Sequence, residues 1–131
     1  MAIKKRQDLN SRPTILIIDD EKPVREAVKD ILALVEIEVL EAPDGRSGIS
    51  IYRQNQPQIS LILLDLSMPG ISGEETFHEL RQLNPDVRVL LSSGYNESDV
   101  NSRLVGQNIT GFIQKPYTLD ALINKVQQHL D

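Results

Sequence analysis

The sequence predicts an α/β fold: a doubly wound parallel sheet of five strands with helices on both faces. Three observations carry this expectation. Four short apolar runs, Ile15–Ile18, Leu61–Leu64, Val87–Leu91 and Ile109–Ile113, have the length and continuity of strands buried on both sides. Segments of helical spacing separate the strand-like runs, so strands and helices alternate in units of about 20–26 residues. Each apolar run also leads into polar residues able to do chemistry: Asp19 and Asp20, Asp65, Ser92 and Ser93, and, past Gln114, Lys115. In an open parallel sheet the carboxyl ends of the strands line one edge, and ligands bind in the crevice there.

The elements follow in order. Strand-like runs begin near residues 14, 37, 61, 87 and 109. Pro23 suits the first turn of a helix that continues through Val24, Ala27, Val28, Ile31, Leu32 and Val35. Residues 46–54 form a weaker helix because Gly48 lies inside it. Gly73 precedes a helix with Phe77, Leu80 and Leu83 on one face. Residues 97–105 form another weak helix, with Val100, Leu104 and Val105 as its apolar residues. Thr118 is the expected N-cap of the last helix, which carries Leu119, Leu122, Ile123, Val126 and Leu130. Residues 1–12, with Lys4, Lys5 and Arg6, read as a flexible N-terminal tail compatible with a cut end of a longer chain, and residues 13–131 as one domain.

Composition narrows the functional classes. The 131 residues are 40% hydrophobic and include no cysteine, which excludes disulfides and thiolate metal sites and fits a reducing, cytoplasmic compartment. A net charge of −5 with no basic stripe argues against direct nucleic-acid binding. No apolar run approaches the roughly 20 residues of a membrane span, so no membrane contact is expected. The phosphate-binding GxxxxGK[ST] loop and the dinucleotide GxGxxG fingerprint are both missing.

Each site residue has an ordinary structural explanation when taken singly. Asp20 or Glu21 can cap the following helix. Asp65 and the Ser93-Gly94 pair can be turn residues. Both histidines, His78 and His129, fall on amphipathic helices and read as solvated. Pro116 forces Lys115 towards an extended backbone, and the bond between them is open to the cis form. Together the residues are more specific. Carboxylates about 4 Å apart at an effective dielectric near 20 repel by roughly 4 kcal/mol per pair. A hard divalent cation with all-oxygen ligands, Mg²⁺, relieves this. With Mg²⁺ and Lys115 present, one carboxylate becomes a usable nucleophile towards phosphorus.

These motifs resemble the receiver domain of two-component response regulators. The resemblance spans about residues 13–131 and rests on ILIIDDE at 15–21, LLDLSMPG at 63–70, LSSGY at 91–95 and GFIQKPY at 111–117. Gaps of 28 residues from Asp65 to Ser93 and 50 to Lys115 agree with it. The resemblance implies a flavodoxin-like (βα)5 fold with strand order 2-1-3-4-5, an arrangement for which a receiver is the standing example. It implies that Asp65 is the phosphoacceptor, that Asp19, Asp20, Asp65 and the Ser67 backbone carbonyl hold Mg²⁺, that Ser93 is the switch hydroxyl, that Lys115 senses the phosphoryl group, and that Phe112 is the aromatic switch. The implied donor is a sensor histidine kinase or phosphotransfer protein. The receiver would catalyse both transfer from that donor and its own dephosphorylation, and its 97–131 face would bind partners or form a homodimer. Ser93-Gly94 stands where Thr-Ala is frequent, and Phe112 where tyrosine is common.

Two other classes compete. A Mg²⁺-dependent phosphohydrolase of the haloacid dehalogenase type needs a second acid two residues past its nucleophile, where this chain has Ser67. A non-phosphorylated pseudo-receiver, a pure interaction module, would not need the intact acid set. Within the receiver class, a single-domain regulator and the receiver of a hybrid sensor kinase both remain open. The stretch from Glu41 through Ser98 resembles receivers of hybrid kinases.

Overall fold

The computed structural model describes residues 12–68, 70–94 and 109–130. The chain runs β1 (Thr14–Ile18), α1 (Lys22–Ala33), β2 (Glu38–Ala42), α2 (Gly45–Asn55), a 3-10 turn (Gln56–Gln58), β3 (Ile59–Asp65), α3 (Gly73–Leu83), β4 (Val89–Ser93), β5 (Gly111–Gln114) and α4 (Leu119–Leu130). The five strands form one sheet of order β2-β1-β3-β4-β5 with every neighbouring pair parallel, the order the resemblance implies. The fourth strand begins two residues later than Val87, whose amide bonds the Asn84 carbonyl in a turn. Residues 1–11 of the expected tail at 1–12, and the expected helix at 97–105, lie outside the described residues.

The apolar runs divide by alternation, since successive strand side chains point to opposite faces. Leu16, Ile18, Ile62, Leu64, Leu91 and Phe112 join Tyr52 of α2 and Phe77 and Leu80 of α3 in one buried cluster. Ile15, Ile17, Leu61, Leu63, Leu90 and Ile113 join Val28 and Leu32 of α1 and Leu122 and Val126 of α4 in the other. The sheet is thus covered on both faces, which is why its strands read as continuous apolar runs.

Local chemistry sets the helix ends. Ser72 and Glu75 form a reciprocal capping box at the start of α3. The Ala121 amide donates to Thr118 Oγ1 at 3.1 Å, so Thr118 caps α4 as expected. Glu21 occupies the N-cap position of α1, but its side chain bonds no helix amide. That carboxylate faces Lys115 instead, and Asp19 Oδ1 accepts the Glu21 amide at 2.9 Å. At the far end of α1, Ile37 N–H donates to the Leu32 carbonyl and Glu36 N–H to that of Ala33. This Schellman arrangement places Glu36 at φ 61°, a left-handed conformation usually given to glycine.

Gly48 weakens α2 as a helix but permits its packing. A Cβ there would lie 2.4 Å from Ile18 Cδ1 and 2.7 Å from its Cγ1. A larger residue there would force the Ile18 side chain or the helix to shift.

Candidate functional site

At the carboxyl edge of the sheet, Asp19, Asp65 and Lys115 continue the alternation of Ile17, Leu63 and Ile113, so all three lie towards the face covered by α1 and α4. Asp19 and Asp65 are 1% and 2% exposed. The Lys115 ammonium stands between them, 2.8 Å from Asp19 Oδ2 and 3.2 Å from Asp65 Oδ2, and 3.1 Å from Glu21 Oε2 on the exposed side. Residues 96 positions apart in sequence therefore share one site. The Lys115–Pro116 bond is cis, the form the sequence left open.

Backbone amides hold the other carboxylate oxygens. Asp65 Oδ1 accepts the Ser67 amide at 2.9 Å, as Asp19 Oδ1 does that of Glu21. The edge is laced further by Leu66 N–H to the Ser92 carbonyl at 2.9 Å and Lys115 N–H to the Ser93 carbonyl at 2.8 Å.

Electrostatics follow from this burial. Burial pushes the Asp65 carboxyl above its usual range, and the charge of Asp19 adds to the rise against the opposing pull of the Ser67 amide and Lys115. Burial would by itself depress Lys115, but Asp19, Asp65 and Glu21 outweigh it and hold the ammonium well above its ordinary value.

Asp20 is exposed beside the cluster, and ligand oxygens of Asp19, Asp20, Glu21 and Asp65 all lie within 4.8 Å of one another. Asp19 Oδ2 is buried and makes no aligned hydrogen bond, only the ion pair with Lys115. A buried, unbonded carboxylate oxygen in an all-oxygen set fits a hard divalent cation such as Mg²⁺.

The remaining expected residues are also located. Ser93 is 0% exposed at the end of β4. Phe112 is buried, opposite Leu91 in the β4–β5 register. Of the expected 97–131 output face, residues 97–108 and 131 lie outside the described residues, while β5 and α4 are described. His78 is exposed and bonds Gln82. His129 departs from the solvated reading: its ring packs near Gly111, where a Cβ would meet Nε2 at 2.9 Å, and its carbonyl accepts Arg88. Burial, with Lys125 and Arg88 nearby, lowers its imidazole pKa.

Two residues at the site escaped the sequence reading. Arg25 donates from Nη1 to the Asp19 carbonyl and from Nε to Glu41 Oε1, both at 2.8 Å, and Lys29 holds the second Glu41 oxygen. Tyr117, present in the GFIQKPY motif but without an assigned role, bonds Ser92 through its hydroxyl. The four-residue spacing of Arg25 and Lys29 along α1 is the signal that marks them as a pair on one face. Their carboxylate partner on β2 depends on tertiary register.

Residues 15–127 match the sequence profile described as the response regulator receiver domain. A sensor kinase, CckA, of Brucella abortus is 29% identical over 129 residues, covering 98% of this chain and 14% of that protein. The transcriptional regulatory protein DegU of Brevibacillus brevis is 35% identical over 115 residues, covering 86% of this chain and 48% of that protein. The crystal structure of the receiver domain from the hybrid histidine kinase CckA superposes with a TM-score of 0.75 at 30% identity, covering 90% of this chain and 99% of that one. The chain spans less than half the length of either full-length relative. Because the match runs from the first strand into the last helix, over the sheet edge that carries the acids and the lysine, the chain belongs to the response regulator receiver domains of two-component systems.

Proposed function

We propose that the chain is a phosphorelay receiver that takes a phosphoryl group onto Asp65 from a phosphohistidine of a sensor histidine kinase or phosphotransfer protein. The observation that carries this reading is the Lys115 ammonium held within 3.2 Å of two buried aspartates. The Asp65 carboxylate attacks phosphorus, the phosphorus–nitrogen bond breaks, and the imidazole nitrogen leaves with its electron pair and takes up a proton. Asp19, Asp20, Asp65 and the Ser67 carbonyl would hold Mg²⁺, which when bound offsets the negative charge of acids and phosphoryl oxygens. Lys115 supplies fixed positive charge to the transferring group.

The buried Ser93 hydroxyl then turns to a phosphoryl oxygen, Phe112 repacks behind it, and the 97–131 face changes for partner binding or homodimerisation. Such a switch shifts a two-state equilibrium, and moving from 1% to 99% active takes about 5.5 kcal/mol of differential stabilisation. A hydroxyl bond and an ion pair to a doubly charged group in a partly dry site supply much of that. Hydrolysis of the aspartyl phosphate by the same site resets the switch. A cytoplasmic location agrees with the family, and among the described residues no helix is long and apolar enough to cross a membrane. A place in a hybrid kinase accords with the CckA match, and a place in a response regulator with the DegU match.

The test is incorporation of label from radiolabelled acetyl phosphate in Mg²⁺. Wild type is expected to take up acid-stable, base-labile label, and Asp65→Asn none. Equal incorporation by Asp65→Asn overturns the assignment.

A further inference from the structure

We infer that Tyr117 is a positioning residue: its hydroxyl, bonded to Ser92, latches the segment that carries Lys115 onto the end of β4 and so keeps the ammonium in the acid cluster. The inference deepens, and rests on, the reading of Asp65 as the phosphoacceptor.

Ser92 is 0% exposed and lies directly opposite Asp65 in the β3–β4 register. Its carbonyl accepts the Leu66 amide at 2.9 Å, so it is anchored to the backbone just past Asp65. Ser92 continues the alternation of Leu90 and points to the α1/α4 face, the same face towards which Asp65 and Lys115 lie. On that face its hydroxyl meets the Tyr117 hydroxyl.

Tyr117 is two residues past Lys115, and its ring packs with the cluster that includes Val28 of α1 and Leu122 of α4. The ring is thus fixed by apolar packing and the hydroxyl by a buried serine. Between this tie and the Lys115 N–H bond to the Ser93 carbonyl, the lysine is pinned to β4 on both sides. Lysine has a long flexible stem, and ordering it is entropically costly. Fixing its backbone at two points reduces the freedom that its three carboxylate contacts must overcome. Burial pushes the Tyr117 hydroxyl up to about 12, so it stays protonated and the latch persists across neutral pH.

Two measurements test the latch. The first is limited acetylation with mass spectrometry, reading Lys115 against Lys22, Lys29 and Lys125 within the same chain. Tyr117→Phe and, as a second variant, Ser92→Ala are each expected to raise Lys115 modification roughly threefold or more, with the other lysines unchanged. Unchanged Lys115 reactivity, or an equal rise at every lysine, overturns the latch. The second is the rate of label uptake from acetyl phosphate in a double-mutant cycle. Tyr117→Phe is expected to slow uptake roughly three- to tenfold beside native Lys115 and to add nothing in a Lys115→Ala background. The same slowing in both backgrounds means that Tyr117 does not act through Lys115, and overturns the inference. Failure of wild type to take up label would count against the Asp65 reading, while the acetylation measurement would still decide the latch.

Discussion

The Lys115 ammonium lies 3.2 Å from Asp65 Oδ2, across 50 residues of sequence, and the same ammonium is 2.8 Å from Asp19 Oδ2. One partly buried cation thereby offsets the repulsion between two buried aspartates. Lys115→Ala leaves both buried acids without their countercharge, which costs about 3 kcal/mol in the absence of divalent cation. Urea denaturation in EDTA measures it. The variant is expected still to take up label, more slowly than wild type, but not to change partner binding or association when phosphorylated. Unaltered switching would remove Lys115 from the mechanism.

Mg²⁺ should stabilise the fold through the same acids. At a concentration 100 times its dissociation constant, the gain is about 2.7 kcal/mol. Thermal melts with and without MgCl₂ report it directly, and the increment should vanish in Asp19→Asn and shrink in Asp20→Asn. An equal increment in both variants would place the ion elsewhere.

The pH dependence of stability has two opposing contributions. Burial raises the folded-state pKa of Asp65, so its contribution is fully present below the unfolded value of 3.8 and is lost as pH rises through the folded value. Glu41 behaves oppositely. Lys29 and Arg25 lower its pKa, so its contribution is present above 4.5 and is lost as pH falls through the folded value. Asp65→Asn is therefore expected to raise the melting temperature at pH 7 without Mg²⁺, and the gain should disappear towards pH 4. Glu41→Gln should lower stability at pH 7, with the deficit shrinking in acid. Melts of the three proteins across that range separate the two.

Gly48→Ala opposes helix propensity to packing. Alanine favours the helix by about 1 kcal/mol, but its methyl would stand 2.4 Å from Ile18 Cδ1, so a buried side chain or the helix must shift. Net destabilisation of about 1–3 kcal/mol is expected by chemical denaturation. A stabilised variant would show that α2 can retreat from β1.

Glu36→Gly should act in the reverse sense. Glutamate at φ 61° carries the left-handed penalty of about 1–2 kcal/mol, and glycine removes it at a smaller entropic cost. A gain of about 0.5–1 kcal/mol is expected by the same assay.

The sheet and its ligand edge were legible because two-sided burial leaves a distinct mark. Ile15-Leu16-Ile17-Ile18 contains no polar residue, and the structure divides it alternately between two helix layers. Once the strands are parallel, Asp19, Asp65 and Lys115 must meet at their carboxyl ends. What stayed hidden depends on pairings that one-dimensional spacing does not encode. Glu36 occupies a turn where glycine would have announced it. Gly48 read as a flaw in a helix because its neighbour, Ile18, is 30 positions away. The Ser92–Tyr117 and Arg25–Glu41 contacts join elements whose relative register appears only on folding.

The lysine that neutralises the acid cluster comes from the strand at one end of the sheet order, and this bears on how the protein is born. A ribosome that has just added Asp65 must add fifty more residues before the countercharge exists. Until then, in the absence of a divalent cation, drawing the strands of Asp19 and Asp65 together brings like charges into contact with no lysine between them. The countercharge of the acidic edge thus arrives only once the fifth strand has been made.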